Sequence, residues 1–286
     1  MYETTCGARE TVGNLRTGFR GASIHEPAYR DANRAPLSIV HERIPSAIGS
    51  APLHPAKNDM AAIPPPKRHP YDQWAPDARA LDLVGDKWTL LIVRDLASGP
   101  RRFVELQRVL PGISTEQLRS RLNRMVADGL LTRQRYREVP PRVDYELTQR
   151  SRELLPVLGA LARWGYDWVW TAPRDGEAID VGAILRIAPG LATAPAKLTG
   201  TTECLVTRPD GTICHYVLST EHGRMTISEA PAPDAEARIA GSEQDWIDAL
   251  GPAADRSGLS IDGDERLAAL VLDGVCANAA RAVRAA

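Results

Sequence analysis

The sequence predicts an α+β chain in two modules: a mostly helical one closed by a β-hairpin, then one in which strands and helices mix. Three observations predict it. Between Gly99 and Thr148 apolar residues recur at helical spacing as far as Met125 and then alternate, the change of period expected where a helix hands over to a β-ribbon. Beyond Pro173, short alternating runs are separated by Pro209-Asp210-Gly211 and Glu221-His222-Gly223, which read as turns. Charge divides at the same place: Gly99 to Arg152 holds twelve Arg against six Asp or Glu, and Arg174 onward holds ten Lys or Arg against seventeen acidic residues.

A chain of 286 residues, 43% hydrophobic and 25% charged, has room for two ordinary cores. No apolar run approaches the roughly 18 residues of a membrane span, so no membrane partner is expected. The N-terminus lacks a basic start followed by an apolar stretch, and Cys6, Cys204, Cys214 and Cys276 form neither a CxxC pair nor a disulfide framework. A reducing cytoplasm is the expected setting.

Residues 1–69 carry no sustained period and end in Ile63-Pro64-Pro65-Pro66, so they read as a disordered or irregular extension with a short helix near Ser46. Met60, just before the ordered part, is one candidate for the natural start, with Met1 the other. The first module spans residues 70–172. It opens with helices from Asp77 to Val84 and from Trp88 to Leu96, the second turning Trp88, Leu91, Ile92 and Leu96 to one side. Arg101 to Val109 forms the next helix, closed by Pro111-Gly112. Ser114 then caps a further helix, with Gln117 completing a capping box.

On that helix Leu118, Leu122 and Met125 make a buried stripe, and the other side carries hydrogen-bonding residues. Helix, turn, capped helix and hairpin together are the layout of a winged helix-turn-helix, whose capped helix enters the major groove of double-stranded DNA. Thr115, Gln117 and Arg119, flanked by Ser114 and Ser120, are placed to read bases. Arg121 and Arg124 are expected on phosphates, as are Arg101 and Arg102 at the start of the preceding helix. The hairpin puts Arg133, Arg135 and Arg137 on one side, and Arg142 at its Pro140-Pro141 tip reaches along the backbone or into a minor groove.

The runs Ala80 to Ile92, Gly99-Pro100-Arg101-Arg102-Phe103, Pro111-Gly112-Ile113-Ser114, Asp128-Gly129-Leu130, Val139 to Thr148 and Leu161-Ala162-Arg163-Trp164 resemble the HxlR-type family of bacterial transcriptional regulators. The resemblance covers about residues 71 to 170. It implies a homodimer whose outer helices pair, presenting two recognition helices to a pseudo-palindromic operator. One departure is plain: members commonly carry a Cys-Pro pair where this chain has Ala75-Pro76, so the resemblance brings no thiol switch to that place.

A single helix from Thr148 to about Trp170 is expected, with apolar Leu154, Leu158, Leu161, Gly165 and Trp168. So wide an apolar surface needs cover from a second copy, from the C-terminal module, or from both. That module, residues 178–286, reads as strands at Thr202–Arg208, Thr212–Thr220, Arg224–Glu229, Glu236–Ala240 and Gly258–Gly263. Helices are expected from Ser242 to Leu250 and from Asp264 onward. A two-residue Asp210-Gly211 turn would set Cys204 opposite Val217, put Cys204 and Cys214 on opposite faces, and place His215 with Cys204. His215 has no second ligand at metal spacing, so it reads as a packed or rim residue, and no cofactor is expected.

The segments Pro233 to Trp246 and Leu259 to Asp264 resemble the sterol-carrier-protein fold, in which helices cover a twisted sheet around an apolar tunnel. That resemblance implies a small apolar ligand near Tyr216, Leu218, Trp246 and Leu250; a solid core centred on Trp246 is the competing reading. Two functions are therefore open: a ligand-responsive DNA-binding regulator, or a lipid carrier using the winged helix only for dimerisation. No GxSxG, P-loop, HExxH or dinucleotide fingerprint points to an enzyme.

Overall fold

The computed structural model describes residues 69–137 and 142–276. The N-terminal extension, including Ser46 and Met60, the hairpin tip at 138–141 and the tail from 277 lie outside the described residues. Helix α1, Pro76–Val84, starts on Pro76, where the missing N–H costs no hydrogen bond. Asp86 then opens α2, Thr89–Asp95, by accepting from the Trp88 and Thr89 backbone N–H groups at 2.8 and 3.0 Å. Arg101–Arg102 is not helical: it forms a short strand, β1, ahead of α3, Phe103–Val109. Helix α4, Thr115–Ala127, follows Ser114 with the expected capping box.

The wing consists of β2, Leu131–Tyr136, and β3, Arg142–Leu147, paired antiparallel with Arg133 opposite Tyr145. β1 adds to the free edge of β3, Arg101 opposite Tyr145, giving the order β1-β3-β2. Two-residue strands have no period, so this pairing could not be read from the sequence. Leu118, Leu122 and Met125 from α4 are buried, as their spacing predicts, with Ile92, Leu96, Leu106, Leu110, Leu130 and Leu147. Val93 also enters this core while Leu91 is only half-buried, a small rotation of α2 from the expected face.

The helix expected over 148–170 is two: α5, Gln149–Arg152, capped by Thr148, and α6, Leu155–Trp168. Pro156 explains the break. It has no N–H to donate to the preceding turn, so it begins a helix rather than continuing one.

In the C-terminal lobe α7, Val181–Leu185, and α8, Ala188–Leu191, precede β4, Gly200–Thr207, β5, Ile213–Glu221, β6, Arg224–Ser228, and β7, Ala237–Ser242. Then come α9, Glu243–Leu250, β8, Ser260–Gly263, and α10, Glu265–Val275. The sheet order is β6-β5-β4-β7-β8, with β4 and β7 parallel and the other pairs antiparallel. All five strands and both longer helices match the expected runs within a few residues. The helices α7 and α8, too short to show a period, were not anticipated.

One register is off by a residue. Residues 208 to 212 make the β4–β5 connection, with the Arg208 N–H donating to the Thr212 carbonyl at 2.9 Å. Cys204 therefore faces Tyr216, and Val206 faces Cys214. The single-residue slip inverts the expected faces: Cys204 and Cys214 share one side, and His215 lies on the other with Glu203. The cysteines remain free thiols.

The lobes pack on each other through α6. Gly159 and Gly190 let α6 and α8 touch backbone to backbone: a Cβ on Gly159 would overlap the Gly190 carbonyl, and one on Gly190 the Leu155 carbonyl. Tyr166 donates its hydroxyl to the Val275 carbonyl at 2.6 Å, and Trp170 its indole N–H to Leu250 at 3.0 Å. The other side of α6 is open. Val157, Leu161, Trp164 and Trp168, at helical spacing, are all exposed, Trp168 to 70%.

Candidate nucleic-acid interface and the junction behind it

Helix α4 begins with a reciprocal cap. Ser114 Oγ accepts from the Gln117 N–H at 3.2 Å, and Gln117 Oε1 accepts from the Ser114 N–H at 3.1 Å. This commits the Gln117 carbonyl oxygen to the cap and leaves its amide NH2 facing outward. Thr115 is exposed and accepts from Gln107 of α3 at 2.8 Å, which ties the two helices of the motif together. One turn on, Arg119 pairs with Glu116 at 3.0 Å in solvent, an arrangement easily exchanged for another anion.

The remaining expected positions divide by burial. Ser120 and Arg124 are half-buried on the flank of α4. Arg121 reaches back to Asp86 at 2.9 Å, so the loop that opens α2 holds its guanidinium. Arg102 stays at the exposed start of α3, its backbone N–H donating to Glu105 at 2.7 Å. On the wing, Arg142 lies 5.4 Å over the Tyr136 ring and pairs with buried Asp144 at 2.6 Å, which fixes its direction. Arg137 is exposed at the end of β2. Arg133 and Arg135 are exposed on the same strand and make no ion pair among the described residues; their alternate spacing was the signal that they belong with Arg137.

Arg101 departs from expectation. Its guanidinium donates to the Asp95 carbonyl at 2.7 Å and to Glu229 at 2.6 Å, leaving the side chain 13% exposed. Because β1 is a strand, Arg101 and Arg102 point to opposite sides, one into the junction and one to solvent. Arg101 is thus turned away from the face that α4 presents.

That junction is an ion cluster shared by the lobes. Arg186, 3% exposed, contacts Asp180 at 2.8 Å, Glu229 at 2.7 Å and buried Asp95 at 3.2 Å. Arg94 adds a second contact to Asp95 at 3.0 Å. Burial opposes ionisation of both Arg186 and Asp180. The carboxylates around Arg186 more than offset this and hold its pKa up, and Arg186 holds the Asp180 carboxyl below its usual range. Nothing local in the sequence marked this cluster, since Arg186 and Asp95 are 91 positions apart.

The expected apolar ligand residues do not line a tunnel. Leu218, Trp246 and Leu250 are fully buried with Ile239, Val271 and Leu272, and the Trp246 indole N–H is satisfied by the Leu205 carbonyl at 2.9 Å. Trp246 is the largest fully buried side chain of this core, where α9 meets the sheet. Tyr216 alone of the four borders an opening: a cleft of about 320 Å³ between α3 and β5, with Arg101, Arg108, Arg186, Arg208 and Glu229 also in its walls. On the other sheet face, His215 Nδ1 lies 2.8 Å from Glu203, which also accepts from Arg238 at 2.9 Å and from the Ala232 N–H at 3.0 Å. Burial raises the Glu203 pKa, but these donors outweigh it and hold the carboxyl low. His215 is a rim residue satisfied by a carboxylate, and no metal-binding cluster of three or more His, Cys, Asp or Glu occurs among the described residues.

With this geometry in place, comparison with known proteins adds a family. The profile described as HxlR-like helix-turn-helix matches residues 83–172. The HTH-type transcriptional regulator sll1512 of Synechocystis is 44% identical over 94 residues, covering 33% of this chain and 70% of that protein. YvaP of Bacillus subtilis, another HTH-type transcriptional regulator, is 34% identical over 91 residues, covering 32% of this chain and 84% of its own length. The solved structure of the HTH-type transcriptional regulator ytcD shares 35% identity over 32% of this chain and 95% of its own, with a TM-score of 0.32. Among the described residues no helix is long and apolar enough to cross a membrane. The profile match, which ends before α7, and the extent of the shared sequence establish that this chain belongs to the HxlR-like helix-turn-helix family.

Proposed function

We propose that the protein is a transcriptional regulator that binds double-stranded DNA as a homodimer through α4 and the β2–β3 wing. The observation that carries this reading is the capped α4, with Thr115, Gln117 and Arg119 exposed on its N-terminal half, beside a wing displaying Arg133, Arg135 and Arg137. Exposed amide, hydroxyl and guanidinium groups suit base edges in a major groove, and arginines along an extended strand suit consecutive phosphates. Ser114 and Ser120 border the reading residues. Arg102, Arg121, Arg124 and Arg142 complete the phosphate set, Arg121 and Arg142 being aimed by Asp86 and Asp144.

The homodimer rests on α6. Its Val157, Leu161, Trp164 and Trp168 stripe is a contiguous apolar surface of the kind that marks an interface, and a second copy of the same helix is its natural cover. The C-terminal lobe, tied to the DNA-binding lobe through Arg186, is the regulatory body in this reading.

Footprinting on the DNA flanking the chain's own gene tests the proposal. Two protected half-sites about one helical turn apart are expected. Affinity should fall with salt, log K dropping by about 0.9 per phosphate contact for each unit of log salt, and replacing Arg133 and Arg135 together with Ala should shallow that slope by up to about 2. A full-length dimer giving no salt-dependent protection anywhere on that DNA would return the chain to the carrier reading.

A further inference from the structure

We propose that the junction cleft is a binding site for a small organic carboxylate, whose acid group pairs with Arg108 and Arg208 and whose apolar body rests against Tyr216 and Ile213. The cleft encloses about 320 Å³, the lower end of the range for small-molecule sites and enough for a single-ring acid. Its walls come from both lobes: Arg108 from α3, Tyr216 and Ile213 from β5, and Arg208 from the connection before β5.

Charge selects the ligand class. Glu229, an acid in the walls, is already taken by Arg101 at 2.6 Å and Arg186 at 2.7 Å, and Glu105 holds the α3 start through the Arg102 N–H at 2.7 Å. Arg186 is in turn matched by Asp95 and Asp180. Arg108 and Arg208 are left: both are exposed, both line the opening, and neither makes an ion pair among the described residues. Two guanidinium groups lining one opening from different elements favour a planar anion that accepts several N–H groups at once, and a carboxylate has that geometry. The exposed Ile213, with the edge of the largely buried Tyr216 beside it in the wall, supplies an apolar surface that a bare inorganic anion would leave unused. Burial pushes the Tyr216 hydroxyl pKa up, so the ring stays neutral at the cleft wall and does not repel an anion.

A carboxylate held there touches both lobes. It therefore binds unequally to any two states that differ in their relative placement, which is the requirement for an effector. Only this regulatory consequence rests on the DNA-binding reading; occupancy of the cleft does not.

Calorimetric titration of the full chain with benzoate, benzyl alcohol and inorganic phosphate tests the site. Benzoate should bind saturably at one per chain, with benzyl alcohol at least about tenfold weaker because it lacks the charge. Arg108→Gln and Arg208→Gln, both surface changes, should each weaken benzoate about tenfold while leaving the thermal midpoint of the apo protein in place. Absence of saturable benzoate binding, equal binding of the alcohol, or indifference to both substitutions overturns the proposal. So does phosphate binding more tightly than benzoate through the same two arginines, which would make the cleft a simple anion site. Footprinting in parallel separates the two proposals: benzoate binding without DNA protection removes the regulator and keeps the site, and the reverse removes the site alone.

Discussion

Arginine does opposite work at two places in this molecule. On α4 and the wing, Arg119, Arg133, Arg135 and Arg137 stand in solvent, and the one carboxylate that holds Arg119 is itself exposed. At the junction, Arg186 and Arg101 are withdrawn from water and matched to Asp95, Asp180 and Glu229 within 3.2 Å. The first arrangement keeps charge ready for an outside partner, while the second uses charge to join two lobes. Residues 101 and 102 show the contrast across a single peptide bond, because a β-strand sends them to opposite sides.

The junction is most vulnerable at Arg186. Arg186→Ala leaves Asp95, Asp180 and Glu229 without their shared cation, so a loss of about 3–5 kcal/mol in urea unfolding is expected, with the native helix content retained by far-UV circular dichroism in the absence of urea. A loss below about 1 kcal/mol would mean that the cluster is as weakly held as the surface pair. Acid probes the same cluster more gently. Arg186 depresses the Asp180 pKa, so the associated stability is fully present above the ordinary value near 3.8 and is lost as pH falls through the lower folded value. Asp180→Asn should remove that part of the acid dependence; unfolding curves between neutral and acidic pH that keep the wild-type slope would contradict it. At the other extreme, Glu116→Ala should change stability by no more than about 0.5 kcal/mol while releasing Arg119 from its carboxylate partner. A larger loss would show the α4 surface to be structural after all.

The sequence made legible what short-range rules control. The Ser114–Gln117 capping box, the Leu118, Leu122 and Met125 stripe and the strands of the second lobe each depend on neighbours within a few residues, and each appears as read. What failed depends on distance or on one backbone detail. Arg101 is claimed by Glu229, 128 positions away, and no local pattern reports that. The β4–β5 register turned on whether Asp210-Gly211 was the whole turn or part of a longer connection, a one-residue difference that reverses every side chain. Trp246 was recognisable as the largest piece of the second core, but whether space remained beside it depended on how closely α9 and α10 settle on the sheet.

The glycine contact between α6 and α8 bears on how the chain comes to be folded. The winged lobe is assembled mainly from neighbouring segments, whereas the second sheet must bring β4 and β7 together in parallel across an intervening hairpin, a slower task. A ribosome delivers the fast lobe first. Until residues 188–191 arrive, the side of α6 around Leu155 and Gly159 lacks the cover that α8 gives it, so the nascent chain exposes this face as well as the Val157, Leu161, Trp164 and Trp168 stripe. Stopping synthesis after the winged lobe should therefore leave a folded but self-adhesive fragment, and the second lobe serves as its lid before it serves anything else.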